Sequence, residues 1–281
     1  MQKLPQIFHF VWVGDAAQEP VAAIDTWRQH HPDWEVRVYR NDDVFKNGAL
    51  NGREWRHRRL IDAFAARGEY CGVADLVRWE MLWRDGGIAL DADFICFAPL
   101  PQWLLDCEIA AAWACEDNPE GDLLSNGFVS AMPQHSIIGA VQDRIETTAA
   151  RLTRWSWSRM KRKNIGAWKT VGPTPFTQVV KETRFQNFTA LPSHFFMPVR
   201  RDGSVYSGGG PVLGEQLWAS SYSINDRLQD VVAERLAKHA EAAAQAAKEA
   251  EEPRPAEVDG PKGPEPTRYG DWEVGGRCSD F

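Results

Sequence analysis

Asp75, Arg78, Asp91 and Asp93 fall within one short window of the chain. Asp75 and Arg78 are three apart in a stretch, Val73 to Arg84, that reads as helix, so they share a face. Gly86-Gly87 stops that helix, lets the backbone turn sharply and leaves space beside it. A short strand, Ile88 to Leu90, then runs into Asp91-Ala92-Asp93. Two carboxylates at i and i+2 converge on a cation where a strand breaks, and a hard divalent ion with oxygen ligands relieves their repulsion. Mg²⁺ or Mn²⁺ held in this way keeps waters and bridges substrate phosphates. A D-x-D alone is common, and an i,i+3 ion pair alone is a surface feature. The apolar neighbours of Asp75 and Arg78 set this window apart, because a buried carboxylate and guanidinium need specific partners.

The elements that must position these groups follow from hydrophobic spacing. Ile7 to Val13 is a buried-strand pattern closed by Gly14-Asp15. Pro20 to His30 reads as helix with the proline in its first turn, and Trp34 to Tyr39 as a second strand. A helix falls within 54–67. Phe94 to Phe97, Glu108 to Ala114 and Gly127 to Ala131 read as further strands, and Ser136 to Leu152 as helix. This alternation predicts an α/β sandwich with a largely parallel sheet, whose ligands bind outside the carboxyl ends of the strands. His9, on the apolar first strand, reads as a satisfied core histidine. His30-His31 read as a cap or turn, and His135 as a helix opener.

Composition narrows the class. The chain has 281 residues, 43% hydrophobic and 25% charged, which excludes wholesale disorder and a fibrous repeat. No apolar run is long enough to span a membrane, and the N-terminus lacks the features of a secretory signal. The expectation is a soluble, cytoplasmic protein of a bacterium or phage. Cysteines at 71, 96, 107, 115 and 278 show no C-x-x-C spacing, arguing against a disulfide framework or a zinc site. The 13 tryptophans are in excess, and such rings fill cores or stack on sugars and bases. Residues 1–228 carry a net charge of −2 and residues 229–281 one of −5. The expected division is a catalytic domain over 1–228 and a tail over 229–281. That tail comprises an Ala/Glu-rich helix over 227–250, a Pro/Gly linker and a C-terminal docking-like peptide.

The run from Ala74-Asp75-Leu76-Val77-Arg78 to Asp85-Gly86-Gly87-Ile88-Ala89-Leu90-Asp91-Ala92-Asp93 resembles the core motif of family 32 glycosyltransferases. Yeast-type α-mannosyltransferases, bacterial capsule enzymes and the glucosyltransferase domains of large clostridial toxins are of that group. Supporting matches are Pro5-Gln6-Ile7-Phe8-His9-Phe10-Val11-Trp12-Val13-Gly14, Trp27 with Pro32-x-Trp34, Ser125-Asn126-Gly127 with His135, and Val171-Gly172-Pro173. Together they cover roughly residues 5–225. The resemblance implies a GT-A fold (a Rossmann-like nucleotide-sugar-binding domain), a nucleotide-sugar donor, a divalent metal and retention of anomeric configuration. It implies that Trp12 stacks on the donor base and that Asp75 and Arg78 hydrogen-bond the donor sugar. Asp91 would contact ribose or sugar and bear on the metal, Asp93 would ligate the metal directly, and Asn126 would lie near the transferred sugar. The donor is expected to be a UDP-sugar, with GDP-mannose as alternative, and the acceptor a glycan or lipid-linked glycan. No residue stands out as nucleophile, and a front-face mechanism needs none.

The chain departs from the family's closing segment, H-x-W-x-x-S-W, where it reads Gln216-Leu217-Trp218-Ala219-Ser220-Ser221-Tyr222. Gln216 keeps an oxygen able to reach the metal, and a neutral oxygen favours Mg²⁺ more than imidazole does. Ser221 and Tyr222 would close over the diphosphate, and Gly208-Gly209-Gly210 upstream fits either a mobile loop or a plain turn. A basic, aromatic-interleaved run at 151–163 and a second cluster of Arg53, Arg56, Arg58 and Arg59 leave open an acceptor that is a modified DNA base. An inactive nucleotide- or glycan-binding module docked through its tail is the non-enzyme alternative. Residues 263–281 are similar to the C-terminus of the succinate dehydrogenase assembly factor 4 group, which implies a possible protein partner there.

Overall fold

The computed structural model describes residues 3–46, 49–50, 53–116, 123–154, 166–208 and 210–251, with two short strands near the C-terminus. The chain divides into two compact units, Met1–Lys238 and His239–Phe281. In the first unit β1 (Ile7–Val11), α1 (Val21–His30) and β2 (Glu35–Tyr39) are followed by a small hairpin of β3 (Ala49–Leu50) and β4 (Arg53–Glu54). Then come α2 (Arg58–Ala65), α3 (Tyr70–Asp85), β5 (Gly87–Leu90), β6 (Phe94–Cys96), α4 (Gln102–Leu105), β7 (Ile109–Trp113), β8 (Leu124–Ala131) and α5 (Ser136–Arg154). The unit continues through α6 (Ala167–Thr170), α7 (Pro173–Glu182), β9 (Thr189–Leu191), β10 (Gly214–Gln216), α8 (Ala219–Tyr222) and the first turns of α9 (Leu228–Glu251).

The main sheet has six strands in the order β2-β1-β5-β8-β7-β9. Strands β1, β2 and β5 run parallel, as do β7 and β9, while β8 is antiparallel to both of its neighbours. The expected largely parallel sheet is therefore mixed. Sequence spacing reveals a strand but not its direction, and β8 runs back with Ala131 at its end set against Gly87 at the start of β5. A second, two-stranded sheet pairs β6 with β10 antiparallel, setting Gln216 opposite Phe94.

Strand alternation divides the core into two layers. Phe8 and Phe10 of β1, Ile88 and Leu90 of β5 and Phe128 of β8 join Trp27, Phe94 and Phe196 on one face. Ala89, Ala111 and Val129 face the opposite layer, where Val73, Leu76, Val77 and Trp79 of α3 pack with Ile137, Ile138 and Val141 of α5. Trp27 is fully buried and donates from Nε1 to the Phe94 carbonyl (3.0 Å), so the W…P-x-W step anchors the strand that leaves Asp93. A third, smaller cluster brings Leu228 and Val232 of α9 onto Ala23, Ile95 and Leu217. Of the second unit, the helix continues to Glu251, and Glu273–Val274 pairs antiparallel with Arg277–Cys278.

Gly86 and Gly87 both have positive φ, +66° and +93°, and a Cβ on Gly87 would lie 2.6 Å from the Ile7 carbonyl oxygen. Only glycine turns the chain there. His9 locks this turn: Nε2 donates to the Gly86 carbonyl at 2.8 Å, and Nδ1 accepts from the Tyr39 hydroxyl at 3.3 Å. The histidine is fully buried and satisfied, as its apolar setting predicts. Burial pushes its pKa down from 6.5 to about 4. The unfolded chain therefore takes up a proton that the native state refuses, and stability contributed at neutral pH is lost as pH falls from 6.5 toward 4. His57, buried and also lowered to about 4 by burial, adds in the same direction. We expect denaturant unfolding at pH 5 to show about 1–2 kcal/mol less stability per histidine than at pH 7. Equal stability at the two pH values would contradict it.

No helix among the described residues is long and apolar enough to cross a membrane.

Candidate active site

A cavity of about 1000 Å³ opens at the carboxyl ends of β1 and β5, and Trp12, Asp75, Arg78, Asp91, Asp93, Asn126, Gln216 and Ser221 all line it. Helix α3 places Asp75 and Arg78 on one face, as their i,i+3 spacing requires. Arg78 donates through Nη1 to Asp75 Oδ1 (3.0 Å) and through Nη2 to Asp91 Oδ1. Asn126, on β8, donates to the same Asp75 oxygen at 2.6 Å. Gln216, brought in by the β6–β10 pair, donates from Nε2 to Asp91 Oδ2 at 2.7 Å. Asp93 accepts the backbone N–H of Ala219 on its Oδ2 at 2.7 Å, at the start of α8. One guanidinium, only 2% exposed, thus bridges two carboxylates, and each carboxylate is held further by an amide.

The electrostatics are those of crowded carboxylates. Burial pushes the Asp75 carboxyl up to about 7 against the pull of Arg78. Burial, with Asp91 adding repulsion, pushes Asp93 up to about 7. Such a cluster is relieved by a cation. Two polar atoms of the same cluster, Arg78 Nε and Gln216 Oε1, are buried with no partner among the described residues, as happens where a ligand completes a site. The residues fit a hard divalent ion. Asp93 keeps one oxygen without a side-chain partner, Asp91 lies beside it, and Gln216 carries an amide oxygen in the cluster. No group of three or more His, Cys, Asp or Glu gathers around a common point among the described residues. The ion's other ligands would therefore be water and substrate phosphate, the usual arrangement for Mg²⁺.

Glycines make room for this network. A Cβ on Gly127 would sit 2.9 Å from Asp91 Oδ2 and 3.2 Å from Gln216 Oε1, and one on Gly172 would sit 2.7 Å from Asp75 Oδ2. The Ser-Asn-Gly and Val-Gly-Pro motifs thus meet the D-x-D window in space. Gly127→Ala should push the Asp91 carboxylate aside and lower turnover at least about tenfold, with a stability cost of only about 1–2 kcal/mol. Steady-state kinetics beside denaturant unfolding checks this, and unchanged turnover would separate Asp91 from the chemistry.

Some expected groups lie elsewhere. Tyr222 is not among the residues lining this cavity; it is 44% exposed, and its hydroxyl donates to the Arg201 carbonyl at 2.7 Å. It therefore fastens the 199–205 turn, whose Arg200 and Arg201 do line the cavity. Gly208 and Gly210 pack against Tyr206 and His194, where a Cβ would come within 2.3 Å of Tyr206 Oη or His194 Nε2. Of the second basic cluster, Arg56 pairs with Asp143 and Glu146 and Arg58 with Asp62, and neither lines the cavity. The basic run at 151–163 lies outside the described residues apart from the end of α5, as does most of 263–281. Sequence reading missed Tyr70, Trp168, Arg200 and Arg201 in the cavity wall. Nothing in their local sequence separates them from ordinary surface residues.

The mixed α/β sheet carries an Asp-x-Asp at the end of its β5 strand, and part of the chain around that motif is similar to glycosyltransferases. Residues 18–109 match the family model described as the glycosyltransferase sugar-binding region containing the DXD motif. Residues 233–281 match a family described as a protein of unknown function, DUF1674. The assembly-factor resemblance of the tail has no support beyond that match. Among curated proteins, the Legionella pneumophila subversion of eukaryotic traffic protein A is 24% identical over 163 residues, 49% of this chain and 24% of that protein. The chain therefore spans about a quarter of that relative. Among solved structures, the PaToxG glycosyltransferase matches with a TM-score of 0.45 and 15% identity, over 65% of this chain and 70% of that one. The galactosyltransferase LgtC, in complex with donor and acceptor sugar analogues, matches with a TM-score of 0.40 and 14% identity, over 81% and 95%.

Proposed function

We propose that this protein is a metal-dependent, retaining glycosyltransferase that moves a hexose from a nucleotide-sugar to a glycan or lipid-linked acceptor. The observation that carries this reading is the Asp75–Arg78–Asp91–Asn126 network with Asp93 at its edge, all facing one cavity. Trp12, beside the cavity with its indole N–H on the Asp15 carbonyl, offers a flat face to the donor base. UDP is the favoured base carrier and GDP the alternative. Asp75, Arg78 and Asn126 orient the donor sugar. Asp93, with Asp91 and the Gln216 oxygen, would hold Mg²⁺ or Mn²⁺, which stabilises negative charge on the departing diphosphate. Ser221, Arg200 and Arg201 border the same end of the cavity as Asp93 and suit the diphosphate; Tyr222 acts on it only through the turn it fastens.

In the reaction, the bond between the anomeric carbon and the phosphate oxygen breaks and a bond from the acceptor hydroxyl oxygen forms. The hydroxyl proton goes to the leaving diphosphate. Asp75 has one oxygen tied to Arg78 and Asn126 and the other packed under Gly172. A carboxylate so held orients substrate rather than attacking it, which favours the front-face course. A DNA acceptor rests on residues 151–163, and nothing among the described residues favours it.

The test is a donor-hydrolysis screen with UDP-glucose, UDP-galactose, their N-acetyl forms and GDP-mannose, with and without Mn²⁺. Metal-dependent turnover of one donor is expected, and anomeric analysis of the product should show retention. No turnover and no thermal stabilisation by any nucleotide with metal would leave the binding-module reading instead. A bound nucleotide at a hundredfold excess over Kd should add about 2.7 kcal/mol.

A further inference from the structure

The cavity has two chemically different ends. At one, Asp91, Asp93 and Gln216 adjoin α8 and the Arg200-Arg201 turn. At the other, the first turns of α3 pack against α6: a Cβ on Gly72 would lie 3.0 Å from Ala167 Cβ. The wall there presents Tyr70, Ala74 and Trp168, and Trp168 is 50% exposed. Trp27, Trp55 and Trp79, by contrast, are buried. Trp103 is as exposed, at 48%, but of these two half-exposed indoles only Trp168 lines the cavity.

The backbone carrying that indole is firmly held. The Trp79 indole N–H donates to the Val171 carbonyl (2.7 Å), and a Cβ on Gly172 would touch Asp75 Oδ2 at 2.7 Å and Trp168 Cα at 3.4 Å. The Trp168 backbone is thus held close to the Asp75 carboxylate.

We infer that Trp168 is the platform for the acceptor and that the acceptor lays a sugar ring on it. This rests on the proposed function: if Asp75 orients the donor sugar, the acceptor hydroxyl must arrive beside Asp75 and away from the diphosphate end. A pyranose has a flat C–H face that matches an indole, and rim hydroxyls that a few polar groups can orient. The only cationic residues among the described cavity lining are Arg78, Arg200 and Arg201. Arg78 is committed to two carboxylates, and the other two sit at the Asp93 end.

The probes are methyl α- and β-glycosides of glucose, galactose and mannose, added to the full chain with its donor and Mn²⁺. In the wild type at least one should divert donor hydrolysis into transfer. Trp168→Ala should weaken that transfer about 10- to 100-fold in kcat/KM for the glycoside while leaving donor hydrolysis within about twofold, and Trp168→Phe should recover part of it. Fluorine NMR of 5-fluorotryptophan-labelled protein, with the Trp168 signal assigned from Trp168→Phe, should show that signal shifting on glycoside addition. Equal loss of hydrolysis and transfer would make Trp168 part of the donor site and overturn the inference. So would an unmoved Trp168 signal while transfer proceeds, or transfer to a peptide or DNA and to no glycoside. Absence of metal-dependent hydrolysis in the wild type would instead remove the glycosyltransferase reading on which the inference rests.

Discussion

Asp93→Asn is expected to fold normally and to lose metal-dependent donor turnover by about a thousandfold or more, the scale of removing a charge-stabilising group from a reacting centre. The amide keeps an oxygen for the Ala219 N–H, now at 2.7 Å, so the start of α8 stays in place. What is lost is the negative charge. Burial already disfavours that charge, so stability without ligand should be unchanged or raised. Asp93→Ala removes the acceptor as well, exposing the Ala219 N–H to about 1 kcal/mol or more of loss. The pair of variants separates charge from scaffold: turnover should fall in both and stability in one. Wild-type turnover in Asp93→Asn would remove Asp93 from the proposed metal site. A thermal-shift series with UDP and Mn²⁺ gives an independent reading, since the variant should lose the metal-dependent part of the stabilisation.

Arg78→Met should be the most destabilising single substitution in the site, by about 3–5 kcal/mol. The guanidinium is almost wholly buried and is the cation shared by Asp75 and Asp91. Replacing it leaves two carboxylates without compensation, and they must take up protons or draw in water. In a domain of this size the melting temperature should fall by about 6–15 °C. Arg78→Lys is no remedy, because an ammonium cannot present the fork that reaches both partners. Adding Asp75→Asn to Arg78→Met should recover part of the stability by removing one unpaired charge, while activity stays lost. Non-additivity in that double-mutant cycle measures the coupling. A loss below 1 kcal/mol in Arg78→Met would mean that the network is looser than its geometry.

The helices and strands were largely legible from spacing. The Val73–Arg84 periodicity and the Gly86-Gly87 stop locate α3 to within a few residues, because amphipathic period and glycine at positive φ are local properties. His9 could be read as a core histidine from its place on an apolar strand, but its partners, Tyr39 and the Gly86 carbonyl, lie 30 and 77 residues away and come only with the fold. The direction of β8 was not legible, since alternation is the same read either way. The part of Gln216 was legible only in outline: its place next to Asp91, 125 residues away, comes from the β6–β10 pairing of distant segments. Tyr222 was legible as a motif position but not in its contacts. It occupies the motif position of an aromatic that closes a site, yet its hydroxyl is spent on the Arg201 carbonyl.

The sequence by itself determined the chemistry available: two carboxylates at a strand end, a carboxylate and guanidinium on one helical face, and glycines where backbone must come close. Those are consequences of residue type and spacing along a helix or strand. Only the tertiary structure decided that Asn126, Gly127, Gly172 and Gln216 converge on those groups, that one buried arginine serves two carboxylates, and that Trp168 stands bare beside them. These depend on which distant segments pack together, a matter settled by filling the two core layers and pairing buried polar groups, not by any local preference of the chain.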